Sequence, residues 1–331
     1  MFIFRVRQKS RTLISERNET EEHKTLSEEE VGRLNIGFIG AGKVGCSLGR
    51  YFAERGHEYG LCVKGYFSRS SKSTKDAAHF TKSQAYDDMK ALIRECDVIF
   101  LTVPDGSIQD TWNQVKGYDI KGKTICHCSG AMSSLDAFEG IGETGAYGYS
   151  IHPLFAVSDK YNAYRELPGV FFTLEGGNIL SGNAEKEHSP EFISLCRTMK
   201  SMGNPTRIIE AENKTTYHCA AAVASNLVCG LIDQSLQLMY RCGFSQNEAV
   251  KALAPILVGN MAHIADTDPT QSLTGPIERN DTVTVQKHLQ CLQSEDEKEL
   301  YRILSRRLVR MAQSRHQDRD YAKMKEILAD K

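Results

Sequence analysis

Gly40, Gly42 and Gly45 occur with the spacing G-x-G-x-x-G inside "GAGKVG". In a turn that holds a diphosphate each glycine has its own task. The first permits the tight turn, the second lets the backbone approach the anion, and the third lets a helix pack close to a strand. The amides of Lys43, Val44 and Gly45 would then open that helix and turn its positive end toward the anion. The surroundings make the pattern informative. "NIGFIG" supplies an apolar strand before it, and Val44, Leu48, Tyr51 and Phe52 follow at helical spacing. Gly56 is the expected stop of this helix.

About 20 residues further on, NAD-binding turns place an acid on the ribose 2′-hydroxyl. Residues 66–73 read "YFSRSSKS" and contain no acid. Ser68, Arg69 and Ser70 offer two hydroxyls and a planar cation, a set that suits a 2′-phosphate. The expected cofactor is therefore NADP rather than NAD, and the missing acid also argues against S-adenosylmethionine. A solvated serine-rich turn is the structural alternative.

Further polar residues fall at the ends of apolar runs, where ligands meet sheets of this kind. "TVPD" places Val103 and Pro104 along the middle of the cofactor. "HCSGA" places Ser129 and Gly130 near the nicotinamide, and "SIHPLF" puts His152, structural or catalytic, at a third strand end. Beyond these, "NKTTYHCAAAVASNLVCGLIDQSLQLMYRCG" reads as one long helix ending at Gly243. With roughly 3.6 residues per turn, His218, Ala222 and Ser225 lie within roughly 60° of one another, and Lys214 stacks one turn below His218. His218 and Asn226 are candidates to face a substrate carbonyl or imine, against the plainer alternative of satisfied polar residues on a packed helix. Thr274, in the Gly-Pro loop "LTGPIERND", is a further possible substrate contact. Arg279 and Asp281 in that loop read as a solvated pair or a cap.

These residues need a scaffold, and the chain carries the signals for one. "NIGFIG", "LCVKGYF", "DVIFLTVP", "KTICHC", "AYGYSIHPL", "VFFTLEG" and "TRIIE" read as strands, with helix candidates such as "SQAYDDMKALIREC" between the early ones. Alternation of this kind implies an α/β fold with a doubly wound, mostly parallel Rossmann sheet. After about Glu210 strand signals stop and an all-helical C-terminal domain is expected. There Ser245 and Glu248 form a capping box, Pro255 kinks the following helix, and Leu300, Ile303, Leu304 and Leu308 share one face. The expected divisions are a flexible tail over 1–33, a dinucleotide-binding domain over 34–210, and a helical substrate and dimerisation domain over 211–331.

With 41 basic and 42 acidic residues in 331, the chain has no global attraction to nucleic acid. None of its ten cysteines forms a C-x-x-C pair. They read as small core hydrophobes in a reducing, cytoplasmic setting. In "CHC" at 126–128 strand parity puts His127 on the other face from both thiols, so no metal is expected. No unbroken apolar run reaches about 20 residues, and "AAAVASNLVCGLI" reads as a buried helix rather than a membrane span. Arg5, Arg7, Lys9 and Arg11 make the first residues basic, as a disordered tail or a weak transit signal would be. Ser27 with Glu30 could cap a short helix after it.

Taken in order, "GAGKVG", "FSRS", "TVPD", "HCSGA", "SIHPL", "YHCAAAVASNL" and "LTGPIERND" resemble a family of NADP oxidoreductase-like proteins. In that family a Rossmann-like domain precedes a helical domain of unknown function, of the 6-phosphogluconate dehydrogenase C-terminal kind. The resemblance spans about residues 35–310. More distantly the chain is similar to pyrroline-5-carboxylate reductase and the β-hydroxyacid dehydrogenases. The resemblance implies hydride transfer to or from C=O or C=N of a small molecule, and a homodimer built through the helical domain. One feature departs from it: β-hydroxyacid dehydrogenases use a lysine and an asparagine one turn apart on the first long helix, whereas Lys214 is followed by His218, and His218 by Ala222. A non-catalytic NADP sensor or scaffold is the alternative that this departure leaves open.

Overall fold

A computed structural model describes residues 33–179 and 186–329. The basic tail and the Ser27–Glu30 cap lie outside the described residues. The chain forms two compact units, one ending at Ser225 and the other beginning at Asn226.

The first unit alternates strand and helix. β1 (Leu34–Ile39), α1 (Lys43–Tyr51), β2 (Leu61–Phe67), α2 (Ser71–Thr81), β3 (Gln84–Ala85), α3 (Met89–Glu95) and β4 (Val98–Leu101) come first. α4 (Ile108–Val115), β5 (Thr124–His127), the short α5 (Ser134–Ala137) and α6 (Ile141–Thr144), and β6 (Tyr147–Pro153) follow. β7 (Phe172–Gly176), a two-strand ribbon of β8 (Asn178–Ile179) and β9 (Lys186–Glu187), α7 (Pro190–Ser201), β10 (Thr206–Ile208) and α8 (Lys214–Ala224) complete it.

The main sheet has the order β10-β7-β6-β5-β4-β1-β2-β3. From β3 to β6 every pairing is parallel, which is the doubly wound Rossmann arrangement; β7 pairs antiparallel with β6, and β10 runs parallel to β7. The apolar runs are nearly continuous because both faces are covered. Val98 and Phe100 of β4 enter one core with Phe38 and Leu48, while Ile99 and Leu101 enter the other with Leu92 and Trp112. β1 and β4 end side by side, and so place the glycine turn against Thr102.

The helix after the glycine turn does not stop at Gly56. It passes through a wider turn over Phe52–Gly56 and ends at Gly60, which has φ 83°. Gly56 is needed for packing instead: a Cβ there would lie 2.6 Å from Cδ1 of Leu61. The expected single helix over the 210s to 240s is also interrupted, because Ser225 leaves helical geometry at φ −124°, ψ −74°.

The second unit contains α9 (Asn226–Arg241), α10 (Gln246–Asp266), α11 (Pro269–Ser272), α12 (Thr282–Cys291), α13 (Glu295–Arg315) and α14 (Ala322–Ile327). Ser245 caps α10 through the anticipated box with Glu248, and α10 runs through Pro255. Asp281 caps α12, accepting from the Thr284 amide at 3.0 Å. The core of this unit gathers Leu273, Ile277, Val285, Val309, Ala312, Tyr321, Met324 and Leu328. On α13 Ser305, Val309 and Ala312 are buried and Leu308 of the expected stripe packs against the same core, whereas Ile303 faces solvent.

Two expectations about apolar residues are corrected. "AAAVASNLVCGLI" is exposed rather than buried: Val223 is 52% and Leu227 64% accessible. The helical run Ala211–Arg241 is moreover long and apolar enough, by length and composition, to cross a membrane. Unbroken apolar length missed it because polar residues punctuate the run. Cys219, Cys229, Cys242 and Cys291 are likewise exposed, whereas Cys46, Cys96 and Cys126 are buried as core residues. Burial pushes the Cys46 thiol up to about 11 and Cys96 up to about 12.

Candidate functional site

The carboxyl ends of β1, β2, β4, β5 and β6 carry most of the expected site. Gly40 has φ 109°, and a Cβ on it would lie 2.6 Å from the backbone oxygen of Thr102. The turn against β4 therefore requires glycine there. Gly45 is equally confined, with its Cβ position 2.8 Å from the Gly40 oxygen. Gly42 differs. Its φ is −81°, and its Cβ position meets nothing nearer than the Thr102 oxygen at 3.8 Å. Neither backbone strain nor packing explains this glycine, whereas a ligand brought against the backbone would. α1 has no side-chain cap and no acid in its first turn, so the amides of Lys43, Val44 and Gly45 face outward without a competing carboxylate.

At the end of β2, Ser68 and Ser70 help build the entry to α2. Ser70 accepts from the Ser73 amide at 3.2 Å, and Ser68 Oγ lies 3.0 Å from the Ser70 oxygen and 2.9 Å from Thr74 Oγ1. Both hydroxyls thus have structural work in the cap. Arg69 is exposed, and its side chain makes no hydrogen bond or ion pair among the described residues. Val103 and Pro104 follow β4, and Asp105 then accepts from Ser129 Oγ at 2.7 Å. Ser129 also holds the next turn, its Oγ accepting from the amides of Ala131 and Met132.

Over the ends of β5 and β6, α8 closes the cluster. A Cβ on Gly130 would lie 2.8 Å from His152 Nε2 and 2.8 Å from His218 Cδ2, so only glycine lets both imidazoles approach this strand end. His152 Nδ1 lies 2.8 Å from the Tyr217 hydroxyl. Four of the expected residues, Ser129, Gly130, His152 and His218, therefore come together. Asn226 and Thr274 belong to the second unit.

The residue that sequence reasoning left without a role is Lys214. It is 1% exposed, and its Nζ donates to the Ser129 carbonyl at 3.0 Å and to Ser150 Oγ at 2.7 Å. One ammonium thus ties α8 to the ends of β5 and β6. Burial lowers its pKa to about 8, opposed by the negative charges of Glu175 and Asp105. Glu175 is itself buried and accepts from the Ser134 amide and hydroxyl at 2.7 and 2.8 Å. His152 is held down at about 4 by burial and by the nearby Lys214 and His218, so it stays neutral near pH 7. His127 faces away from the thiols, against Phe138, and burial lowers it to about 3. Among the described residues no group of three His, Cys, Asp or Glu side chains is placed to hold a metal.

The sheet order and glycine turn define a Rossmann-like domain, and residues 20–153 match the family model of that description. Residues 185–308 match the domain of unknown function DUF2520. The chain thus joins a match to the Rossmann-like domain to a match to DUF2520. A crystal structure of a Thermotoga maritima protein superposes with a TM-score of 0.62 at 25% identity, covering 85% of this chain and 99% of that one. A pyrroline-5-carboxylate reductase from Coxiella burnetii has a TM-score of 0.54 at 13% identity, covering 86% and 98%. An imine reductase from Myxococcus stipitatus in complex with NADP+ has 0.52 at 14%, covering 89% and 100%. The last two share the fold with this chain. A comparison with curated proteins finds no match.

Proposed function

We propose that the protein is an NADP(H)-dependent oxidoreductase that reduces, or forms by oxidation, the C=O or C=N bond of a small molecule. The observation that carries this reading is Gly42, whose open Cβ position leaves room for a diphosphate above the amides that begin α1. Gly40, Gly42, Lys43, Val44 and Gly45 would hold that diphosphate. Arg69, with Ser68 and Ser70, would hold the 2′-phosphate, and Val103, Pro104, Ser129 and Gly130 would line the path toward the nicotinamide. The coenzyme supplies the hydride. The chain supplies an anchored cluster in which Lys214 sets α8 on the strand ends and His152 and His218 face the reacting bond. Fold likeness to the pyrroline-5-carboxylate and imine reductases supports the substrate class.

Arg69→Ala should weaken NADPH by about 10- to 100-fold, the worth of one charge-assisted phosphate contact, and leave NADH nearly unchanged. Calorimetric titration of both coenzymes checks this, and equal losses would remove Arg69 from the site. Stopped-flow oxidation of bound NADPH across keto acids and cyclic imines tests the reaction itself. Tight binding without turnover on any of them would favour an NADP sensor.

The proposal includes a homodimer through the helical unit. Of the residues in α9 and α10, only Ala249 is buried, while Leu227, Leu231, Ile256, Val258 and Met261 are exposed. Helices this apolar need a covering surface. A second copy supplies one more readily than lipid, because Asp233, Gln234, Gln237 and Arg241 punctuate α9. Sedimentation should find a dimer in detergent-free buffer, and Leu227→Glu with Ile256→Glu should shift it to monomer. Partition of the protein into detergent micelles would contradict this part of the proposal.

A further inference from the structure

Two histidines reach the strand ends, and their surroundings differ. The His218 ring makes no hydrogen bond among the described residues, so nothing fixes which of its nitrogens carries a proton. His152 is fixed on one side. Its Nδ1 meets the Tyr217 hydroxyl at 2.8 Å, with the rings edge to face at 84°. Its Nε2 is the ring atom nearest the Cβ position of Gly130. Thr173 of β7 is the residue paired with His152 across the antiparallel β6–β7 edge. Tyr217 is itself held in place, because Lys214, three residues earlier on α8, is bound to both Ser129 and Ser150.

A phenol is a stronger acid than a neutral imidazole N–H, and an imidazole nitrogen is a stronger base than a phenol oxygen. The favourable pairing is therefore Tyr217 O–H donating to His152 Nδ1. In a neutral imidazole the nitrogen that accepts leaves the other one protonated. We infer that Tyr217 is a positioning residue that fixes His152 as its Nε2–H tautomer, and that this N–H, rather than His218, is the hydrogen-bond donor to the reacting oxygen or nitrogen of the substrate.

The inference rests on the oxidoreductase reading given above. In the reductive direction hydride forms the new C–H bond, and the π pair of C=O or C=N moves onto the heteroatom. His152 Nε2–H stabilises the charge that develops there, and water supplies the final proton. The imidazole thus ends as it began and works as a neutral electrophile. The low pKa of His152 agrees with that role, since an imidazolium would not persist near neutral pH.

Nitrogen-15 spectra of histidine-labelled, NADPH-saturated protein read the tautomer directly. The His152 signals are assigned from their loss in His152→Gln or, should that variant fail to fold, by elimination using substitutions at the other histidines. The expected result is a protonated Nε2 and an unprotonated Nδ1 in the wild type, with Tyr217→Phe shifting both signals toward a tautomer mixture. In NADPH oxidation with 2-methyl-1-pyrroline as probe, His152→Gln, whose amide can take the place of Nε2–H, should stay within about tenfold of wild type. His152→Asn should lose about 100-fold or more. A protonated Nδ1 in the wild type, or Asn outperforming Gln, overturns the inference. Either could happen with calorimetric NADPH binding intact, so this failure and failure of the coenzyme reading are told apart.

Discussion

Gly40→Ala is expected to destabilise the first unit by about 3 kcal/mol or more, while Gly42→Ala, two residues away, should change stability by less than about 0.5 kcal/mol. The difference follows from the space around each Cβ. At Gly40 a side chain must adopt φ 109° and sit 2.6 Å from the Thr102 backbone oxygen. The dihedral alone costs on the order of 1–3 kcal/mol, and the overlap forces a backbone shift costing a similar amount. At Gly42 φ is already −81° and the nearest atom is 3.8 Å away, so alanine fits the free protein. What alanine removes there is the close approach of a diphosphate. Gly42→Ala should weaken NADPH more than about tenfold, a loss of about 1.4 kcal/mol. Urea unfolding and calorimetry read the two effects separately. If Gly42→Ala unfolds the protein, or binds NADPH as tightly as wild type, the glycine has been misassigned.

Lys214→Met should raise stability at pH 7 by about 2 kcal/mol even though it removes two hydrogen bonds. Lowering the ammonium from 10.5 to about 8 means that the charged form is disfavoured in the folded protein by about 3 kcal/mol. Methionine keeps most of the side-chain volume and avoids that penalty, at the loss of contacts worth about 1 kcal/mol net. Ser150 can still donate to the Ser129 oxygen, and Glu175 keeps its two bonds from Ser134. The pH dependence gives the sign. Between about pH 8 and 10.5 the unfolded chain holds the Lys214 proton more tightly than the native one, so wild-type stability gains on the variant as pH rises. The advantage of Lys214→Met is therefore full below pH 8 and fades above it. Denaturant midpoints of the pair at pH 7 and pH 10 measure this, and a variant less stable at pH 7 would show that the ammonium is a net stabiliser. Turnover should fall in either case, because among the described residues only Lys214 ties α8 to both Ser129 and Ser150.

The strands were legible because burial on both faces leaves apolar runs, such as Val98–Leu101, that few other elements explain. The glycine turn was legible for a related reason: its strand, spacing and helix are all local. The helix stop was misplaced at Gly56 because a glycine required for packing against Leu61 looks in sequence like one required for positive φ. Hydropathy also failed to say what covers α9 and α10, since apolar residues read the same whether their partner lies within the chain or outside it. Lys214 shows the sharper limit. Its phase relative to His218 can be counted along one helix, but its anchor is Ser129, 85 residues earlier in sequence. Tyr217 stood beside His218 in "YHC" without a role, because its partner His152 lies 65 residues away. The set Lys214, Tyr217 and His218, at i, i+3 and i+4 on one helix, was the available signal.

Calorimetric titration of the purified protein with NADPH and with NADH tests the central claim most directly. The account predicts saturable binding of NADPH, at least tenfold tighter than NADH, with the preference lost in Arg69→Ala and the binding weakened more than about tenfold in Gly42→Ala. No heat with either coenzyme at saturating concentration, together with no rise in melting temperature, would contradict it.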